Sequence, residues 1–207
     1  MRLMDWRSML EAKVKELANR DVDGHGLTHL YRVRDLALKI AKAEGADLEV
    51  VEAAALLHDL ARGSANHASA SARLARKLLR EAGFPEGKVE KVVEAIEAHS
   101  YSGGREPRSL EAVILRDADL LDAAGAIGVL RAACYGALKG RELLCLEDPF
   151  AESRPLDDSR YTLDHFYTKL LKVAELVKTK EARIEAVRRV KFLRRFLDEL
   201  RREVGKA

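Results

Sequence analysis

Apolar residues return every three or four positions along almost the whole chain, separated by short clusters of Gly, Pro or Asn. That spacing puts the apolar side chains on one stripe of an α-helix, whereas a strand would show alternation. Val89, Val92, Val93, Ile96 and His99 form one such stripe, so His99 is expected to point inward. The chain has 207 residues, 47% hydrophobic and 34% charged, with only 13 Gly and 4 Pro. This make-up suits helices with apolar inner and charged outer faces and gives strands and disorder little support. The expected fold class is all-α, a compact single-domain bundle of about eight to nine helices over residues 1–207.

Capping and stop signals place the helices. The first covers Asp5 to Ala18 with Leu10, Val14 and Leu17 on one face, and Gly24-His25-Gly26 separates it from a second, Thr28 to Glu44. The second buries Leu30, Val33, Leu36 or Ala37, and Ile40, and stops at Gly45. Asp47 caps a third, Leu48 to Leu60, which is wholly apolar from Ala53 to Leu57 and is therefore expected at the centre. A fourth runs from Ala68 to Ala82 and a fifth from Gly87 to His99. After a polar loop, Tyr101 to Arg108, Ser109 caps a sixth through Leu121, which ends among Asp117, Asp119 and Asp122. Gly125 to Leu138 reads as a seventh, and Leu163 to Val177 and Ala182 to Glu203 close the chain. Gly140 to Arg160 is the longest irregular segment, either a lid or a connection.

The net charge of +3 does not call for a polyanionic partner. From Lys178 onward 11 Lys and Arg meet 5 Asp and Glu. Because acids are interspersed and Phe192 and Phe196 sit at core spacing, this is read as a solvated helix face in preference to a nucleic-acid patch. Cys134 and Cys145 lack CxxC spacing, so neither a disulfide framework nor a structural zinc site is expected. Such cysteine usage fits a reduced, cytoplasmic setting, and the N-terminal stretch has no continuous apolar run, which argues against a signal peptide or membrane span and for a soluble protein. The face bearing Trp6 is either core or interface, which leaves a homodimer open.

His58-Asp59 directly follows Ala53-Ala54-Ala55-Leu56-Leu57. An ionised Asp at the end of so apolar a helix is costly without a partner, either a bound cation or an Arg. His29, His58, Asp59 and Asp119 are residue types that suit a hard or borderline divalent cation. No Walker loop and no Gly-x-Ser-x-Gly elbow is present, which removes P-loop, kinase and serine-hydrolase readings.

Gly24-His25 with Thr28-His29-Leu30-Tyr31-Arg32-Val33, then Ala54-Ala55-Leu56-Leu57-His58-Asp59-Leu60, then Arg116-Asp117-Ala118-Asp119-Leu120-Leu121-Asp122 resemble, in order and spacing, the HD-domain metal-dependent phosphohydrolases. The resemblance spans residues 24–131, the metal-site core, with the helices of 162–203 packing on it. Asp164-His165-Phe166-Tyr167-Thr168-Lys169-Leu170-Leu171 further resembles the tail of small stand-alone members, some of which hydrolyse nucleoside triphosphates to monophosphate and pyrophosphate.

The resemblance implies His29, His58, Asp59 and Asp119 as metal ligands. Periodicity alone does not choose Asp119 over Asp117, which lies about 200° away around a helix. His67 and His99 correspond to residues that hold a second metal or phosphate, with one metal preferred. Arg62 and Asp122 join Asp59 as candidate catalytic residues, and His25, His165 and Lys169 as substrate-binding ones. His165 and Lys169 are expected to share one helix face, and Asp117 to face away and bond locally. Mn²⁺ fits the mixed N and O ligands best, with Mg²⁺, Co²⁺, Ni²⁺ or Fe²⁺ as alternatives. The general base stays unassigned. A 5′-nucleotidase or cyclic-nucleotide phosphodiesterase is the alternative enzyme, and a helical scaffold contacting RNA or a protein the alternative without catalysis.

Overall fold

The computed structural model describes residues 5–18, 20–100 and 105–205; among them all regular structure is helical apart from an isolated bridge between Glu142 and Tyr161. Residues 101–104 of the expected polar loop lie outside this range. Among the described residues no helix is long and apolar enough to cross a membrane. The fold divides into two compact units, one ending at Asp119 and taking back Lys178–Glu181, the other formed by Leu120–Val177 with the chain from Ala182 onward.

The first unit is built around the helix that carries the His-Asp pair. Helix α1 is Trp6–Leu17, α2 Leu27–Glu44 and α3 Leu48–Leu57; α4 is His67–Glu81, α5 Glu86–Ala98 and α6 Leu110–Asp122. Seven of the ten residues of α3 are buried, and it packs against α1, α2, α4 and α5. An uninterrupted apolar run has no solvated side, so surrounding it with other helices is how it is buried. Asp47 caps α3 by accepting from Glu49 N and Val50 N at 3.1 and 3.4 Å, as its position predicts. Lys88 of α5 grips the same carboxylate, tying the start of α3 to α5.

Helix α2 ends at Gly45, whose φ of 76° is the left-handed conformation that lets the chain turn off the helix. Ala37, not Leu36, lies in the α2 core stripe. Leu17, the last residue of α1, is more exposed than expected, at 38%. Trp6 meets Phe84 edge to face at 4.9 Å. Helix α3 stops at Leu57, three residues short of expectation; His58 keeps helical angles and the chain then turns. Ser71 on α4, fully buried, accepts from Ala61 N at 3.1 Å and holds that turn.

The second unit contains α7 (Gly125–Leu138), α8 (Asp164–Thr168), a 3₁₀ turn at Leu170–Lys172, α9 (Val173–Leu176) and most of α10 (Lys180–Glu203). The single helix expected over Leu163 to Val177 is in fact broken at Lys169, which has φ −134° and ψ −57°. Phe166, Tyr167 and Thr168 are weak helix formers, and packing decides the backbone there. The α10 core stripe is Ala182, Ala186, Val190, Leu193 and Leu197, which leaves Phe192 at 43% exposure outside it; Phe196 stacks on Phe166 at 5.8 Å.

The irregular segment 140–160 is internally cross-linked. Arg154 forms a two-pronged pair with the buried Asp164 at 2.6 and 2.8 Å, and Asp157 N donates to the same carboxylate at 2.6 Å. Asp148 accepts from Glu152 N, Ser153 N, Ser153 Oγ and Arg154 N. These contacts suit a connection fastened to α8.

Candidate metal centre and its relatives

Five of the six histidines of the chain stand in a row in the first unit. Successive ring centroids, from His25 through His29, His58 and His99 to His67, are 5.4, 5.2, 5.0 and 5.4 Å apart, each pair edge to face. Each ring comes from a different place in the sequence: the turn before α2, α2 itself, the end of α3, the end of α5 and the first turn of α4. His29, His58 and His99 are buried.

His58 Nδ1 lies 2.8 Å from the Ala55 carbonyl and His99 Nδ1 2.6 Å from that of Ile96. A carbonyl only accepts, so both rings carry a proton on Nδ1 and turn Nε2 the other way. His58 Nε2 comes within 3.2 Å of His29 Nε2, and His29 Nε2 within 3.5 Å of Asp119 Oδ1. His29, His58 and Asp119 offer three ligand atoms within 4.8 Å of one another, and Asp59, His67 and His99 offer a second such set. Burial holds the His58 pKa down at about 4, with the neighbouring His99 and His29 adding to the effect. Burial also lowers His67, partly opposed by Asp59. Both shifts favour the neutral ring of His58 and His67 at pH 7, the form in which an imidazole can bind a metal.

Asp59 is 3% exposed, and its two oxygens differ. Oδ2 accepts from Arg62 Nη1 at 2.6 Å, whereas Oδ1 is buried without a hydrogen-bond partner. An orphaned carboxylate oxygen in such a place is costly, and a cation is the partner that its neighbourhood of imidazole nitrogens suits. The donor set therefore fits a divalent ion. Of the two partners expected for Asp59, the Arg is present, and it leaves one oxygen over.

The remaining candidates are distributed as follows. His25 is partly buried with its Nδ1 3.3 Å from Asp23, whose carboxyl is lowered by His25 against the opposing effect of burial. Asp122 is buried and accepts from Arg131 at 2.7 Å, both in the second unit. Also in the second unit, His165 Nδ1 meets Asp158 at 3.0 Å, and Thr168 donates to the same carboxylate at 2.8 Å. Burial lowers the His165 pKa and Asp158 opposes it. Lys169 is exposed and lies beyond the end of α8, so the expectation that it shares a helix face with His165 is corrected: the four-residue spacing means a shared face only while the helix continues.

Asp117 faces away from the site as expected, but its partners are not local. It accepts from Lys178 N, Thr179 N and Thr179 Oγ1, 61 and 62 residues downstream. Two supporting residues went unread in the sequence. Asp21 accepts from Gly26 N at 3.0 Å and from the Thr28 hydroxyl, fixing the turn before α2, and Ser71 holds the turn after Asp59. Neither carries a local signal: Asp21 lies five residues ahead of Gly26, the N-cap of α2, out of reach of the capping preference, and nothing local marks Ser71.

Comparison with known proteins agrees with this geometry. The HD domain family pattern matches residues 26–124, which include His29, His58, Asp59 and Asp119. The uncharacterized protein YpgQ of Bacillus subtilis is 31% identical over 196 residues, covering 92% of this chain and 90% of its own length. Its crystal structure in complex with ADP superposes with a TM-score of 0.76 at 28% identity, over 97% of each chain. An HD-superfamily hydrolase from Bacillus thuringiensis gives a TM-score of 0.74 at 28% identity, covering 98% of this chain and all of its own. The order of the histidines and aspartates, the helical scaffold that gathers them and these likenesses agree: the chain belongs to the HD-domain family and is a metal-dependent phosphohydrolase.

Proposed function

We propose that the chain hydrolyses nucleoside triphosphates to monophosphate and pyrophosphate at a divalent-metal centre held by His29, His58, Asp59 and Asp119. The observation that carries the metal assignment is the buried, partnerless Asp59 Oδ1, which is grouped with His67 and His99, while His29, His58 and Asp119 form an adjoining group joined to it through the His58–His99 ring contact. The nucleotide assignment is supported by the ADP bound in YpgQ, which is similar over nearly its whole length. Mn²⁺ is the preferred ion, with Mg²⁺, Co²⁺, Ni²⁺ and Fe²⁺ as alternatives, because neutral imidazoles and carboxylates together suit a first-row metal. Such an ion supplies Lewis acidity toward a phosphoryl oxygen and acidifies a bound water.

The side chains have distinct roles. The His58 ring is held in one orientation through Ala55, so that its Nε2 meets His29 Nε2 without a search over rotamers. Arg62 is one-third exposed and uses one guanidinium nitrogen on Asp59; the rest of its planar donor fork can receive a phosphate oxygen. His67 and His99, grouped with Asp59, take either a second ion or a phosphate oxygen. His25, half-buried and turned toward His29, contacts the substrate.

The test is a nucleotide panel with several divalent ions in which pyrophosphate, inorganic phosphate and ring-opened monoester are measured separately. Pyrophosphate from triphosphates supports the proposal. Inorganic phosphate from monophosphates, or opening of cyclic nucleotides, refutes it in favour of a nucleotidase or phosphodiesterase.

A further inference from the structure

Arg116 has no part in the roles above, yet among the described residues it is the one Lys or Arg that is buried, at 7% exposure. Its Nε and Nη2 donate to the Ala98 carbonyl at 3.0 and 2.7 Å, and Nη2 also donates to the Arg105 carbonyl. Ala98 is the last residue of α5, where carbonyls run out of partners within the helix, and a guanidinium there satisfies the orphan acceptor and complements the negative end of the helix. The next residue is His99, buried and fixed through Nδ1 to Ile96 O. Arg116 itself stands on α6, one turn before Asp119.

We infer that Arg116 is a positioning residue: by gripping the α5 terminus from α6, it fixes the His99 ring, and hence its Nε2, relative to Asp59 and His67. Burying a guanidinium mainly against carbonyls, with the exposed Glu106 carboxylate 3.4 Å from Nη1 as its ion-pair partner, is a costly way to end a helix. The arrangement is intelligible if the placement of the following residue matters. One helix thereby sets a member of each donor group, Asp119 directly and His99 through the Ala98 carbonyl. The functional part of this inference rests on His99 acting at the proposed centre; the geometric part does not.

Two experiments test it. Long-range ¹H–¹⁵N spectra of the histidine rings, assigned with His99→Ala, report the tautomer of His99 without metal or turnover. In Arg116→Met the His99 ring is expected to lose its single Nδ1-protonated signature while His58 keeps its own. An unchanged His99 signal overturns the inference, whatever the enzyme hydrolyses. A double-mutant cycle with His99→Ala then tests the function. Arg116→Met is expected to lower kcat/KM roughly 10- to 100-fold in the wild-type background, as loss of a residue that orients a metal ligand does, and less than about twofold further when His99 is already absent. Equal losses in both backgrounds would mean a general structural role and overturn the positioning claim. If Arg116→Met does not fold, Arg116→Lys, which keeps the charge but loses the fork, carries both measurements. A wild-type protein without metal-dependent turnover refutes the proposed function and leaves the spectral test of Arg116 standing.

Discussion

Asp117 and Asp119 sit two residues apart on α6 and should respond oppositely to removal. Asp117 is fully buried and accepts from two backbone N–H groups and a hydroxyl, at distances from 2.7 to 3.0 Å. Hydrogen bonds to a charged acceptor contribute roughly 1.5 to 3 kcal/mol each, so three of them give a gross loss of about 4 to 9 kcal/mol in Asp117→Ala. Part of that is returned, because burial raises the Asp117 pKa and thus disfavours the carboxylate that disappears. We expect a net loss of about 3 kcal/mol, which for a chain of this size lowers Tm by roughly 6 to 12 °C. Asp119, whose side chain is 29% exposed, lies beside His29 within the proposed ligand set. Asp119→Ala should therefore cost less than about 1 kcal/mol in metal-free protein while weakening divalent-ion binding at least about tenfold. Thermal denaturation in chelator, paired with calorimetric Mn²⁺ titration, measures both. An Asp117→Ala protein as stable as wild type, or an Asp119→Ala protein that binds metal as well as wild type, would refute the division of labour.

Three other outcomes follow from the same geometry. Gly136→Ala should destabilise by about 1 to 3 kcal/mol in urea denaturation, because a Cβ there would overlap the Thr162 hydroxyl and lie 3.1 Å from Thr162 Cβ; a neutral substitution would contradict the close approach. The unfolded chain protonates His58 near its ordinary 6.5 and the folded chain near 4, so metal-free protein should lose stability as pH falls across that window and lose no more from this group below it. The size is about 3 kcal/mol, read as the difference between pH-stability profiles of wild type and His58→Gln, and identical profiles would count against it. Saturating Mn²⁺ should raise Tm, since a ligand present at a hundredfold its Kd adds about 2.7 kcal/mol, and excess chelator should reverse the rise; no shift in either direction would argue against a metal centre.

Much of this architecture was legible in the sequence because helices α1 to α7 are specified locally. Asp47 announces the start of α3, Gly45 the end of α2, and Ala53 to Leu57 the centre of the first unit. The break at Lys169 was not legible, since helical spacing persists across it while the backbone departs. Phe192 misled for a related reason: a periodic stripe fixes which residues share a face, not how wide a face is covered. At the site, His58-Asp59 needed a partner on physical grounds alone, and Arg62 supplies one to Asp59 Oδ2 while Oδ1 is left over. The choice between Asp117 and Asp119 depends on residues 178–179, far along the chain, so no local pattern could make it. Asp119 is what the family resemblance implies, and the structure shows Asp117 engaged by Lys178 and Thr179 instead. The inward position of His99 followed from its stripe, whereas its hold through Arg116 and Ala98 is a tertiary contact without a periodic trace.

The central claim is that Asp59 joins metal binding to turnover. It is tested most directly by measuring metal content and triphosphate hydrolysis on the same preparations of wild type and Asp59→Ala, each equilibrated with Mn²⁺ and shown by circular dichroism to be folded. The account predicts stoichiometric metal and pyrophosphate release in wild type, with both lost together in the variant. An Asp59→Ala protein that keeps the wild-type metal content and turnover would contradict it.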